Sequence, residues 1–165
     1  VKTIHDSETL QEGQQVITAC IFLHHVFDGV EKVFVAKRAA TKKFLPNVYE
    51  LPGGHIDYGE EIPAGLIREI KEEFEVDVRL GDPFYIFTYV NPIKKTQSVE
   101  IIYFGTLVSP VDSIVTHPDD HAGYKWIAEN ELSLVTDANK GVDDVEFRGI
   151  KKGFELLNGT KPLIF

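Results

Sequence analysis

Six glutamates, Glu60, Glu61, Glu69, Glu72, Glu73 and Glu75, fall within the segment GGHIDYGEEIPAGLIREIKEEFEV at residues 53–76. Ile62, Leu66, Ile70 and Phe74 recur there at every fourth position, with Ile67 beside them, so the spacing predicts a helix from Glu61 to about Phe74. Pro63 suits its first turn and Glu60 and Glu61 suit the positive end of its dipole, although Gly65 weakens it. On such a helix Glu69, Glu72 and Glu73 share an arc of about 100°, with Glu73 at the border of the apolar stripe. Each like-charge pair at this spacing costs roughly 0.2–0.5 kcal/mol on an exposed helix, and more where a carboxylate is partly buried. Only Arg68, four residues before Glu72, obviously offsets the repulsion. An acidic protein has acidic helix faces as a matter of course. A hard divalent cation, however, takes carboxylate oxygens at short range, and this spacing supplies three from one rigid element.

The order of these residues resembles the signature of the Nudix family. That signature runs Gly, five residues, Glu, seven residues, then Arg-Glu-aliphatic-x-Glu-Glu-x-Gly-aliphatic. Gly54, Glu60, Arg68, Glu69, Ile70, Glu72, Glu73 and Val76 stand in register with it, and Leu51-Pro52-Gly53 ahead of Gly54 is similar as well. One fixed place departs: Glu75 stands where the family has glycine. A glycine there takes a left-handed conformation cheaply, so a glutamate is expected to alter how the helix ends without removing a metal ligand.

The resemblance implies an α/β fold, a Nudix-type α/β/α sandwich with a mixed sheet packed between helices, over a single domain spanning residues 1–165. It also implies hydrolysis of a nucleoside diphosphate linked to another group, with water attacking a phosphorus. Carried over by position, Glu69, Glu72 and Glu73 are metal ligands for Mg²⁺, or Mn²⁺ in its place, and Glu69 also orients or deprotonates the attacking water. Gly54 offers a backbone carbonyl to the metal, Arg68 braces the carboxylates, and Glu60 holds the loop to the helix start. A further base or ligand comes from a later loop in this family, for which Asp119, Asp120 and His121 are the candidates, Asp120 as an additional metal ligand. The alternative is that these residues form a polar turn. His117 and His121 would need a helix to act as a zinc pair, which Pro118 disfavours.

Other elements must hold this segment. Residues 16–27 and 32–37 read as strands joined by an Asp28-Gly29 hairpin turn, and a basic loop then leads to a short strand near Tyr49–Leu51. Three strands at 76–80, 84–90 and 98–108 are expected, then one at 124–127, a helical turn at 129–134, and a closing helix at 143–157 ended by Asn158-Gly159. Arg38 and Lys37 are candidates for contacting a substrate phosphate, whereas Lys42, Lys43, Lys94 and Lys95 read as solvated loop charges. Tyr85, Phe87, Tyr89 and Trp126 read as packing residues, one of which could stack on a base without being assignable.

The net charge of -9 argues against affinity for a nucleic-acid polymer or an anionic membrane, leaving a small nucleotide as the expected partner of a monomer or homodimer. The lone Cys20, in an apolar run, excludes a disulfide framework and reads as a buried structural thiol. No basic-then-apolar leader and no bilayer-length apolar run is visible, so a cytoplasmic location is expected, although a first residue of Val leaves a trimmed start open. Asn158-Gly159-Thr160 matches a glycosylation acceptor that has no meaning in that compartment.

The leading reading is thus a Mg²⁺-dependent pyrophosphohydrolase acting on a nucleoside triphosphate or an ADP-ribose-type substrate. Pro92, sixteen residues past Val76, points weakly to the latter. The rival is a nucleotide-binding module without turnover, against which the intact Glu69, Glu72 and Glu73 count. A diphosphate isomerase on the same fold would show a cysteine in a suitable loop, and Cys20 is in an apolar strand instead.

Overall fold

The computed structural model describes residues 9–136 and 144–159. Its spine is β1 (Gln15–Phe27), whose run VITACIFL is apolar at nearly every position because both faces are covered. Ala19, Ile21 and Leu23 enter one core with Leu66, Ile70 and Phe74 of α1 (Ile62–Phe74). Cys20 and Phe22 enter the opposite core with Ile150 and Phe154 of α2 (Val145–Leu157). The period of two along β1 thereby builds the expected helix–sheet–helix sandwich.

β1 turns through Asp28-Gly29, both at positive φ (49° and 80°), into β2 (Val30–Arg38). β2 is flanked by the two-residue β3 (Tyr49–Glu50) and by β7 (His121–Ile127). On its other side β1 pairs in parallel with β6 (Thr96–Leu107), which pairs antiparallel with β5 (Val78–Asn91). The sheet is therefore mixed, ordered β3-β2-β1-β6-β5 along its main path.

Four details depart from the sequence reading. The two strands expected at 76–80 and 84–90 are one strand, because Gly81-Asp82-Pro83 forms register shifts within β5 instead of a turn. Proline is tolerated there because the bulge needs no ladder N–H. A strand not foreseen, β4 (Gly53–His55), pairs with Thr18–Cys20 of β1; its two glycines carry no strand signal, and the pairing comes from tertiary contact. The closing helix begins at Val145, capped by Asp144, whose Oδ1 accepts from the N–H groups of Glu146 and Phe147 at 3.0 Å; position 143 of the expected span lies outside the described residues. Finally, α1 ends as a glycine would end it: Glu75 itself takes the left-handed conformation (φ 59°, ψ 24°) and its N–H reaches the Lys71 carbonyl. The exit geometry is kept, at a cost of roughly 1 kcal/mol for a residue with a Cβ.

α2 lies unusually close to the sheet. A Cβ at Gly149 would strike Ile102 and Tyr85, and one at Gly153 would strike the Phe22 ring. These two glycines, one helical turn apart, let the helix backbone sit on the aromatic floor.

Candidate active site

Three segments converge beside the N-terminal half of β1. β4 brings Gly54 opposite Ala19, α1 presents its acidic face beneath it, and the loop before β7 closes the far side. Gly54 has no room for a side chain, since a Cβ would collide with the carboxylate of Glu69. Backbone and carboxylate are thereby placed against each other, as a shared cation would require.

Arg68 organises the near wall. Its Nε and Nη2 donate to the two oxygens of Glu60 at 2.7 and 2.9 Å, its Nη1 donates to Glu69 at 2.8 Å and Glu72 at 3.3 Å, and Nη2 also reaches the His55 carbonyl at 3.1 Å. Hydrogen bonding to Glu60 foremost, then to Glu69, pushes the guanidinium still further up, so its charge is permanent. Glu60 in turn accepts the Asp57 N–H at 2.9 Å, tying the loop to the start of α1.

Glu73 is different. Its Oε2 is sealed from solvent and has no hydrogen-bond partner among the described residues. Burial foremost, then the negative fields of Glu69, Glu50 and Asp120, push its carboxyl well above the ordinary range, offset in part by Lys42. A buried carboxylate oxygen facing other carboxylates is what a divalent cation would relieve, and the all-oxygen donor set suits Mg²⁺ or Mn²⁺ over zinc. The residues therefore fit such an ion. Among the described residues, however, no three carboxylate, imidazole or thiolate groups already converge at ligating distance, and Arg68 and Lys42 supply the compensating charge.

The far wall is built from residues that the sequence reading placed only in part. His121 is buried (4% exposed) and its Nε2 lies 3.3 Å from Glu50 Oε1. Burial pushes Glu50 up, but the His121 hydrogen bond and the charge of Arg38 outweigh it and hold the carboxyl below its usual range. Asp120 lines the groove and Asp119 does not. His117 points elsewhere, 3.9 Å from Glu75, so the two histidines do not converge. Lys42 is no solvated loop charge: its Nζ donates to Asp120 Oδ1 at 2.6 Å, and both residues line the groove. Sequence could not show this, because the pairing spans 78 residues.

Arg38 faces the groove but is engaged, donating to Glu50 at 3.2 and 3.3 Å and to the Phe44 carbonyl at 3.0 Å, which fixes the loop after β2. Lys37 lines neither this groove nor its neighbour. Pro92 is away from both, in the β5–β6 turn where the Asn91 side chain accepts from the N–H groups of Ile93 and Lys94. Trp126 packs on Phe27 and Phe34, and Cys20 is buried, as expected.

The groove opens into a second cleft of about 280 Å³, sharing Arg38, Glu50, Leu51, Tyr89 and Glu100 with it. Phe44 and Tyr89 face it with nearly parallel rings, 8° apart in plane and 6.1 Å between centroids, and Phe87 and Leu45 extend the apolar wall. Apart from Arg38, which is paired with Glu50, and the Tyr89 hydroxyl, its polar side chains are carboxylates: Glu50, Glu100, Asp144 and Glu146. Burial foremost pushes Glu100 up to about 7, with a hydrogen bond from Thr18 Oγ1 at 2.5 Å acting the other way. Glu146 accepts the Leu51 N–H at 2.5 Å and so joins α2 to the loop below β3. Glu50, Glu100 and Glu146 were missed from sequence. Glu100 alone left a signal there, as a charge inside the apolar strand SVEIIYFG.

Known proteins are similar to this chain in sequence and in fold. The NUDIX domain model matches residues 18–146. Among relatives, an RNA pyrophosphohydrolase of Campylobacter jejuni is 25% identical over 154 residues, covering 89% of this chain and 85% of that protein. A Bacillus subtilis protein provisionally named 8-oxo-dGTP diphosphatase is 27% identical over 129 residues, 73% of this chain and 79% of its own. Among solved structures, a MutT protein of Methanosarcina mazei superposes with TM-score 0.68 at 18% identity, covering 90% of this chain and 99% of that one. An Ap4A hydrolase of C. elegans gives 0.67 at 18% identity, with coverage of 87% and 98%. With the domain model spanning most of its length and the acidic helix in register, this chain belongs to the Nudix family, hydrolases of the pyrophosphohydrolase type that act on phosphoanhydride bonds.

Proposed function

We propose that the protein is a Mg²⁺-dependent pyrophosphohydrolase of a free nucleotide, of the nucleoside triphosphate or ADP-ribose type, whose base lies in the ring-lined cleft and whose diphosphate lies over the acidic groove. The observation that carries this reading is the continuity of the two sites through Arg38, Glu50, Leu51, Tyr89 and Glu100. Their polarity orients the substrate. A cleft whose polar groups are mainly carboxylates repels phosphate and accepts N–H donors, as offered by the amino edge of a purine, while flat rings favour stacking.

Glu69, Glu72 and Glu73, with the Gly54 carbonyl and Asp120, would hold the metal. Once bound there, a divalent cation supplies charge screening and Lewis acidity at the phosphoanhydride. The chain's own residues do the rest. Arg68 fixes the rotamers of Glu69 and Glu72 through a guanidinium itself clamped by Glu60, so the carboxylates need little reorganisation. Glu69, whose carboxylate lies against Gly54, would orient the attacking water and take its proton. The His121–Glu50–Arg38 chain keeps Glu50 ionised where groove and cleft meet.

The relatives' names span RNA and the free nucleotide 8-oxo-dGTP. A net charge of -9 favours the free nucleotide here. The test is a panel of nucleoside triphosphates, ADP-ribose, dinucleotides, nucleotide sugars and a 5′-triphosphorylated RNA, assayed for release of phosphate, pyrophosphate or nucleoside monophosphate with Mg²⁺ and with EDTA. Mg²⁺-dependent turnover of a free nucleotide supports the proposal. Tight nucleotide binding without turnover would make the protein a binding module, and preference for the RNA would move the substrate class.

A further inference from the structure

The loop between β2 and β3 carries two groups into the two halves of the site. Phe44 faces the ring-lined cleft, and Lys42 faces the acidic groove. The loop is anchored by the Arg38 fork on Glu50 and the Phe44 carbonyl, by the Ala39 N–H on the Asp120 carbonyl (2.9 Å) and by the Lys42 N–H on the Ala39 carbonyl (3.1 Å). The root of the Lys42 side chain is thus fixed, and its four-carbon stem is free to change rotamer. At its end the ammonium meets one oxygen of Asp120, in a pair whose side chains are 32% and 43% exposed. So exposed a pair separates easily.

Asp120 faces the groove that holds Glu73. A dication at Glu73 attracts the Asp120 carboxylate and repels the Lys42 ammonium, so both forces act to open the same 2.6 Å contact. The released ammonium has no other carboxylate partner in the described ion pairs and belongs to the lining of the groove over which the proposed diphosphate lies. Arg38 cannot take this part without giving up Glu50 and the Phe44 carbonyl.

We propose that Lys42 is the phosphate-binding residue of this site and that its ion pair with Asp120 is exchanged on loading: Asp120 turns to the cation and Lys42 to the substrate's phosphate. Lys42 and the metal thus compete for Asp120 until substrate arrives, and then cooperate. The inference rests on the functional reading above for its substrate and on the Lys42–Asp120 geometry for its mechanism.

The experiment compares wild type, Lys42→Met, Lys42→Arg and Asp120→Asn in two titrations, after thermal melts show that each is folded. Mn²⁺ alone is titrated by electron paramagnetic resonance of the free ion. The α,β-methylene analogues of ATP and GTP are titrated calorimetrically in Ca²⁺. Lys42→Met is expected to bind Mn²⁺ about two- to fivefold more tightly than wild type, the worth of the exposed pair it no longer offers. It should bind the analogue at least about tenfold more weakly, the loss of one charge-assisted hydrogen bond. Lys42→Arg should recover most of the analogue affinity, and Asp120→Asn should weaken Mn²⁺ binding. Wild-type protein that binds Mn²⁺ and an analogue, with Lys42→Met equal to it in both titrations, overturns the exchange while the proposed function stands. Wild-type protein that binds Mn²⁺ but no nucleotide analogue overturns the functional reading, and the phosphate role with it.

Discussion

Replacing Glu100 by glutamine should stabilise the protein in alkaline solution and leave its stability unchanged in acid. Glu100 lies on β6 beneath the ring-lined cleft, its carboxyl bonded by the Thr18 hydroxyl and pushed by burial from 4.5 to about 7. Because the folded value lies above the unfolded one, the native state binds the proton more tightly. The contribution of Glu100 to stability is therefore complete below pH of about 4.5, falls as pH rises toward 7, and levels off above it. A rise of this size corresponds to about 3 kcal/mol. The side chain is only partly shielded from solvent, which reduces the expected loss to about 1–2 kcal/mol. Glutamine keeps an oxygen for Thr18 and never ionises, so the part of the loss due to Glu100 should be absent, while the pH dependence contributed by Glu73 is common to both proteins and cancels in their difference. Urea unfolding in EDTA at pH 4.5 and at pH 8 measures both. Coincident stabilities at the lower pH and an advantage of about 1–2 kcal/mol for Glu100→Gln at the higher, with Tm higher by about 3–6 °C, are expected. An equal offset at both pH values, or a less stable variant at pH 8, would refute the placement of a strained carboxyl at this point.

Three further outcomes follow from particular contacts. Glu75→Gly should raise stability by about 1 kcal/mol, because the left-handed cap at φ 59° is kept by a residue that pays for its Cβ; thermal melts read this directly. Gly153→Ala should destabilise by about 1–3 kcal/mol through collision with the Phe22 ring, whereas alanine at the neighbouring exposed Lys151 should change stability by less than about 0.5 kcal/mol. Glu72→Gln and Glu73→Gln should each lower kcat by orders of magnitude with the fold intact by circular dichroism; near wild-type rates in both would remove these residues from the chemistry.

How far the sequence reaches is set by which interactions are local. The α1 segment was legible almost to the residue, because apolar period, Pro63 and the carboxylate spacing all act within one helix. The Asp28-Gly29 hairpin was legible for the same reason. Tertiary pairing was not. β4 exists because β1 offers it a ladder, and β5 runs through Gly81-Asp82-Pro83 because β6 holds both of its halves in one register. In the site, a bracing role for Arg68 was expected from the family resemblance, and its contacts with Glu60, Glu69 and Glu72 join residues close in sequence. The Lys42–Asp120 and His121–Glu50 pairs span 78 and 71 residues and were not foreseen. The ring-lined cleft collects Phe44, Tyr89 and Glu146 from three distant elements, so its existence is a property of the fold. The glutamate at position 75 shows the reverse case, a residue whose type argued for a changed helix end while its backbone conformation stayed as glycine's would be.

The central claim is that Glu69, Glu72 and Glu73 are gathered to hold a divalent cation. Its most direct measurement is a Mn²⁺ titration followed by electron paramagnetic resonance, on the wild-type protein and on Glu73→Gln, with and without the α,β-methylene nucleotide. Wild type should bind the ion at this site and more tightly with nucleotide present, and Glu73→Gln should lose most of that affinity. Equal Mn²⁺ binding by the two proteins, or none by wild type even with nucleotide, would contradict it.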